Sequence, residues 1–309
     1  MRHTQHPLTV EGMEAHPHHA HDHDHAHEHA HGGESRLADM LDLDAELLGT
    51  YLDELTAWVA EQAAGTPRTV ADLGAGTGTG TLALARRFPA ATIVAVDRSP
   101  VMLDRVRAAA VGRGLGERVR AVQGDLDLAL PPVGPVDLVW AAASLHHVEE
   151  PARLLREVHA ALNPGGLLAV VEMDGLPRFL PDEAGAALEV RCREAVTRAR
   201  TGPDAYPEWT PPLTAAGFEV TARRDFPIEV AARRDFPIEV GPSSPSGVRG
   251  VARYAHAVFS GYRSRLDGHL AAADLAALDR LLSEDHPEAL RHRDLVLRST
   301  RTAWAARRA

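Results

Sequence analysis

The stretch "ADLGAGTGTG", residues 71–80, decides how this chain folds. From Gly74 to Gly80 every residue except Ala75 is Gly or Thr, and Asp72 stands two places before the first glycine. The run "TVADLGA" (69–75) reads as a buried strand, and "TGTLALARRF" (79–88) behind it reads as a helix. A glycine-rich turn between them lets the backbone bend sharply and approach a ligand, while the next helix start offers unpaired N–H groups. A dinucleotide-binding G-x-G-x-x-G would need glycine at position 79, which is Thr79. The phosphate-loop signature GK[ST] is absent as well.

Working outward, the strand–helix rhythm continues. "ATIVAVD" (91–97) is a second strand, and "PVMLDRVRAAAVGR" a helix with Pro100 at its start. "RVRAVQGD" (118–125) and "VDLVWAAA" (136–143) are strands three and four. "PARLLREVHAAL" (151–162) is a helix closed by "NPGG", and "LLAVVEM" (167–173) is a fifth strand. Short β-branched strands alternating with amphipathic helices imply βαβ units and a mainly parallel sheet covered on both faces. Beyond Asp174 the spacing predicts helices at 182–200 and within 248–283. "PPLTAAGFEV" (211–220) predicts a short helix running into a strand, and 294–308 a final strand. N-terminal to the first strand, residues 37–63 carry Leu43, Leu47, Tyr51, Leu52, Leu55, Trp58 and Val59 at helical spacing.

Composition narrows the function. The chain has 309 residues and a formal net charge of −10, which argues against a nucleic-acid phosphate backbone as partner. No apolar run approaches the ~20 residues of a membrane span, so the expectation is a soluble cytoplasmic protein without membrane partners. Cys192 is the only cysteine and excludes an internal disulfide; on its predicted helix it reads as a small buried hydrophobe. Residues 1–35 hold 11 of the 18 histidines, interleaved with acids and alanines, and present no apolar face. They read as a disordered tail whose His21, His23, His25, His27 and His29 could bind a divalent metal. A further oddity is "TARRDFPIEV" (221–230) followed directly by "AARRDFPIEV" (231–240), identical at nine of ten positions. One copy suffices for one strand, so the repeat reads as a local duplication whose copies compete for a single register.

The ordered set of motifs resembles the class I S-adenosylmethionine-dependent methyltransferases, over about residues 44–174. Asp72, Gly74, Ala75, Gly76 and Gly78 match the family's first motif, and Asp97 ends the second strand where the family holds both ribose hydroxyls. Arg98 and Met102 follow it. Gly124, Asp125 and Leu126 match the segment that reads the adenine amine and packs on its ring, and Ala142 ends strand four. "SLHHV" and "NPGG" match later motifs, and the likeness is greatest to the small-molecule branch that includes ubiquinone/menaquinone-type methyltransferases. The chemistry agrees: ribose hydroxyls and an exocyclic amine are donors, so carboxylates suit them, and no phosphate requires a cation.

The resemblance implies a Rossmann-like, doubly wound α/β sheet of seven strands, mostly parallel with the last antiparallel, and helical lid elements. It divides the chain into a tail (1–35) and a methyltransferase domain (36–309). Within that domain 36–66 form N-terminal helices, 67–174 the cofactor-binding core, and 175–309 the substrate-side helices and last strands. S-adenosylmethionine is the implied cofactor and a small molecule the implied methyl acceptor. His146 and His147 are the candidate general bases, with Glu172 and Asp174 as weaker ones; Trp140, Tyr206 and Trp209 are candidates for an aromatic acceptor wall. Two other classes compete: a nicotinamide-dependent oxidoreductase, which leaves Asp72 and Gly124-Asp125 unexplained, and a non-catalytic metal-binding protein acting through its tail.

Overall fold

A computed structural model describes residues 21–199, 208–232 and 248–309. Seven strands form one sheet in the order β3-β2-β1-β4-β5-β7-β6. β1 (Thr69–Leu73), β2 (Thr92–Asp97), β3 (Val119–Gln123), β4 (Val136–Ala142) and β5 (Leu162–Met173) run parallel. β7 (Leu295–Arg308) inserts antiparallel between β5 and β6 (Phe218–Ala232). The sheet reverses its strand order beside β1 and β4, and a crevice opens there at the carboxyl edge, where open α/β sheets bind ligands.

Period-2 alternation sorts the strands between two cores. Val70, Ile93, Leu138 and Ala169 face one side, under α1 (His21–Gln62) and α2 (Thr79–Arg87). Ala71, Val94, Val139 and Val170 face the other, under α4 (Pro151–Ala161) and α6 (Thr210–Ala215). α3 (Pro100–Val111) starts as its sequence promises, with Pro100 in the first turn and Ser99 Oγ accepting from the Met102 N–H at 3.4 Å.

The strand β5 begins five residues earlier than the run "LLAVVEM", because "NPGG" belongs to it and does not merely close α4. Val136 pairs with Leu162 and Leu138 with Leu167, so the register slips across these residues. Asp137 holds the slip together: its carboxylate accepts from Asn163 Nδ2 at 2.8 Å and from the N–H groups of Arg68 and Thr69 at 2.9 and 3.1 Å. Partial burial alone would raise its pKa, but these donors hold it below the ordinary carboxylate value.

α1 is longer than the hydrophobic spacing over 37–63 requires and starts at His21, within the segment read as a disordered tail. Its second half packs on the sheet through Leu52, Leu55 and Trp58, while its middle, Leu43 and Leu47, enters a separate core. α5 (Glu183–Ala199), α7 (Val248–Arg265) and α8 (Ala272–Leu282) build that second core, where Cys192 is fully buried. Ion pairs fasten α1 further: Arg105 bonds Asp39 and Asp42 from α3, and Arg224 bonds Glu54 from β6. No helix among the described residues is long and apolar enough to cross a membrane.

The duplicated decapeptide is resolved in favour of its first copy. Ala222 to Ala232 pair in register with Ala305 to Leu295, after a bulge at Thr221. Thr221 is the one position at which the copies differ, and its hydroxyl donates to the Ala305 carbonyl at 3.3 Å. Ala231 could not make that bond. Residues 233–240 of the second copy lie outside the described residues.

Candidate active site

A cavity of about 520 Å³ lies at the carboxyl edge over β1, β2 and β4, roofed by α1. It gathers Asp72, Gly74, Ala75, Gly76, Asp97, Arg98, Met102, Gly124, Asp125, Leu126 and Ala142 from the sequence-derived set. Gly78 is the exception. It stands at φ +91° as the residue before α2 and packs against Val106, so it shapes the turn without lining the cavity.

Three acids mark successive strand ends. Asp97 is fixed by two backbone donors, Gly76 N–H to Oδ2 at 2.8 Å and Ser99 N–H to Oδ1 at 2.9 Å. It therefore ties the glycine loop to the start of α3, lines the cavity, and retains acceptor capacity beyond these two bonds. Asp125 accepts from the Asp127 N–H at 3.0 Å, a turn that holds its carboxylate at the rim. Asp72 is buried at 2% exposure and accepts from Thr81 Oγ1 at 2.5 Å.

Burial pushes Asp72 up to about 7, against the lowering effect of the Thr81 bond. A folded-state value above the unfolded one means that the protonated form stabilises the fold; this contribution is full below about pH 4 and is lost as pH rises to 7. Glu189, buried beneath the Phe179 and Leu180 N–H groups, is raised to about 7 as well. We therefore expect thermal stability to fall between about pH 4 and pH 7 and to level off above it. Asp72→Asn should match wild type at the acid end and exceed it at the alkaline end; parallel melting curves at all pH values would refute this.

The glycine loop leaves room that side chains would fill. Gly74 has φ +73°, and a Cβ there would lie 2.5 Å from Ser144 Cβ. Ser144 is itself placed by Ala143, whose φ of 50° is unusual for a residue with a Cβ and is secured by its N–H bond to Val171 at 2.7 Å. Ser144 Oγ is 8% exposed by residue, lines the cavity and bonds no protein atom. Such a buried hydroxyl calls for a ligand partner. Acceptors at three strand ends, a backbone stripped of side chains and an unmatched hydroxyl together fit a ligand rich in hydroxyl and amine donors.

The histidine pair is divided. His147 lines the cavity, whereas His146 does not. His146 Nδ1 lies 2.7 Å from Glu172 Oε2, and the other Glu172 oxygen accepts from the Leu145 N–H at 3.1 Å. Glu172 is 2% exposed. It fixes the 3-10 turn 145–147, and the His147 ring rests on the His146 ring with centroids 4.0 Å apart. Asp174 is exposed and outside the cavity, Trp209 is buried in the core under α6, and Trp140 does line the cavity. Tyr206, like the first 20 residues, lies outside the described residues, as do the side chains of His21 to His29. No group of three or more potential metal ligands occurs among the described residues.

Several lining residues carry no local sequence signal. Leu37, Leu41, Asp44, Tyr51 and Leu52 come from α1, and Arg301 comes from β7, 229 positions after Asp72 in the chain. Among the described residues, α1 is the one helix of those expected to form a lid that reaches the cavity; α5, α7 and α8 support it from behind through Leu43 and Leu47.

The comparisons agree with this geometry. A family model described as a methyltransferase domain matches residues 70–166. The trans-aconitate 2-methyltransferase of Methylobacterium nodulans is 30% identical over 80% of this chain and 92% of its own length. The demethylmenaquinone methyltransferase of Thermus thermophilus is 38% identical over 36% of this chain and 50% of its own. A Bacillus halodurans protein solved as a candidate methyltransferase superimposes with a TM-score of 0.50 at 19% identity, covering 82% of this chain and 98% of that one. The chain belongs to the class I S-adenosylmethionine-dependent methyltransferases. It is an enzyme that uses S-adenosylmethionine to methylate a small molecule, and the oxidoreductase and tail-only readings find no support.

Proposed function

We propose that Asp97 accepts from the ribose hydroxyls of S-adenosylmethionine, Asp125 and Leu126 receive the adenine, and the glycine loop with Ser144 receives the methionine end. The observation that carries this reading is the row of acids on consecutive strand ends, opening into one cavity that continues past Trp140 and Ala142 to α1. When bound, the cofactor supplies an electrophilic methyl group on a sulfonium. Its transfer creates little new charge, so the chain's share of the rate is positioning and exclusion of water. Roofing by α1 provides the second.

For the acceptor we infer a small carboxylic acid, with trans-aconitate as the first candidate, because that substrate is printed in the name of a relative matched over nearly its whole length. A carboxylate oxygen is ionised at neutral pH and attacks without a base. His147 then lines the acceptor side without taking a proton, and His146 with Glu172 holds it in place.

Methyl transfer from S-adenosylmethionine to trans-aconitate, followed from pH 6 to 9, tests the reading. The rate should be flat with pH once the pH-dependent stability is allowed for. His147→Ala should lose less than about tenfold, below the ~10²–10⁴ that removal of a general base costs. A steep rise with pH that vanishes in His147→Ala would instead make His147 the base. Titration with NADH beside S-adenosylmethionine should give micromolar binding of the latter alone.

A further inference from the structure

Arg301 is a buried cation that the cofactor assignment leaves without a task. It lies opposite Met173, where β5 ends, on the sheet face that α1 covers, and it is only 6% exposed. Burying a guanidinium is costly unless its charge and its donors are met. One nitrogen, Nη1, donates to Ser299 Oγ at 2.6 Å, and the Tyr51 phenol lies close enough to feel the guanidinium charge. The carboxylate nearest to it is a loose partner. Asp44 Oδ1 lies 3.6 Å from Nη2, beyond a good hydrogen bond, and that oxygen accepts from Tyr254 O–H at 2.7 Å.

Tyr51 completes the arrangement. Burial is the main reason its phenol is pushed up to about 12, with Arg301 acting in the opposite direction, so the phenol keeps its proton at neutral pH. A protonated phenol beside a cation keeps an O–H to donate to an acceptor. Arg301, Tyr51 and Asp44 all line the cavity, and the sheet order sets Arg301 on β7 apart from Asp125 after β3. An incompletely matched guanidinium and a phenol O–H therefore meet at the wall where the acceptor must lie.

We propose that Arg301 and Tyr51 form the acceptor's anion subsite, in which guanidinium N–H groups and the phenol O–H converge on one carboxylate of the acceptor. This rests on the methyltransferase reading and adds to it the residues that select an acid. A carboxylate and a guanidinium match in shape as well as charge, and burial strengthens the pair. The held carboxylate is an anchor and not the nucleophile, since its lone pairs are occupied by donors. The acceptor is thus a small molecule with at least one carboxylate besides the atom that receives the methyl group. Asp44 competes with that anchor for the same cation, which keeps the charge partly offset when no acceptor is bound.

Calorimetric titration of the full chain, saturated with S-adenosylhomocysteine, tests this with three probes: trans-aconitate, fumarate and trimethyl trans-aconitate. The wild type should bind at least one of the acids and not the ester. Arg301→Gln should weaken that acid by about 10- to 100-fold, the worth of charge-assisted hydrogen bonds, with the S-adenosylhomocysteine constant unchanged. Tyr51→Phe should weaken it by roughly 3- to 10-fold. Asp44→Asn should have the opposite sign and tighten it, because the competing charge is gone. Were Arg301 only a structural partner of Asp44, both substitutions would act in the same direction. Equal acid affinity in Arg301→Gln and wild type overturns the proposal, as does equal binding of acid and ester, or no binding of either acid. If Arg301→Gln does not fold, an unchanged acid affinity in Tyr51→Phe overturns it. Failure of the wild type to bind S-adenosylhomocysteine would instead remove the cofactor reading beneath it.

Discussion

Asp97→Ala is expected to weaken S-adenosylmethionine binding by about 2–4 kcal/mol, or roughly 30- to 1000-fold in Kd. Two losses add. The first is direct: a carboxylate at the end of β2 is the acceptor proposed for both ribose hydroxyls, and without it two buried donors have no partner. The second is the loss of the bridge from Gly76 N–H to Ser99 N–H that this carboxylate forms, at 2.8 and 2.9 Å. Asp97→Asn separates them. The amide keeps the shape and one acceptor oxygen, but its NH₂ must face a backbone N–H or the ligand, so part of the loss should persist. Calorimetry gives the affinities, and melting of the ligand-free variants shows how far the loop bridge supports the fold. An Asp97→Ala protein that binds the cofactor like wild type would refute the ribose assignment.

The parts of this molecule that could be read from the sequence are those whose signals are local. Strands β1 to β5 announce themselves as short β-branched runs, Ser99-Pro100 announces α3, and the acids of the site sit where each strand ends. β7 was readable too, from its alternation over 294–308. The start of β5 was not, because the hydrogen bond from Asn163 to Asp137 that draws "NPGG" into the sheet spans 26 residues. The acceptor wall was hidden for the same reason: Tyr51 and Arg301 lie 250 positions apart and meet only because α1 crosses the edge where β7 runs antiparallel to β5. Adjacent in sequence, His146 and His147 looked equivalent, and only the buried Glu172 from β5 separates their surroundings. The duplicated decapeptide offers the reverse lesson. Its two copies are nearly indistinguishable as sequence, and a single hydroxyl at the Thr221 bulge distinguishes the copy that pairs with β7.

Gly74→Ala should be the most damaging single-methyl change in the glycine loop, at about 2–5 kcal/mol of stability, the sum of two separable effects. A side chain at φ +73° meets the steric penalty of the left-handed region, about 1–2 kcal/mol. The added methyl also falls 2.5 Å from Ser144 Cβ and 3.2 Å from its Oγ, so the Ser144 backbone must move. It has little freedom to do so, because the Ala143 N–H is bonded to Val171 and the Gly74 N–H to Val96 at 2.9 Å. Overpacking of that kind costs about 1–3 kcal/mol. Gly134 supplies the control: its φ is +78°, nearly the same, but a Cβ there would meet nothing within 4 Å. Gly134→Ala should therefore show the backbone penalty alone and leave cofactor affinity intact. Gly74→Ala should melt several degrees lower still and bind S-adenosylmethionine poorly, since the displaced Ser144 and the methyl both intrude on the cavity. Equal melting temperatures for the two variants would mean that Gly74 is required for its backbone angle only, and that the close approach of β4's exit to the glycine loop does nothing to shape the site.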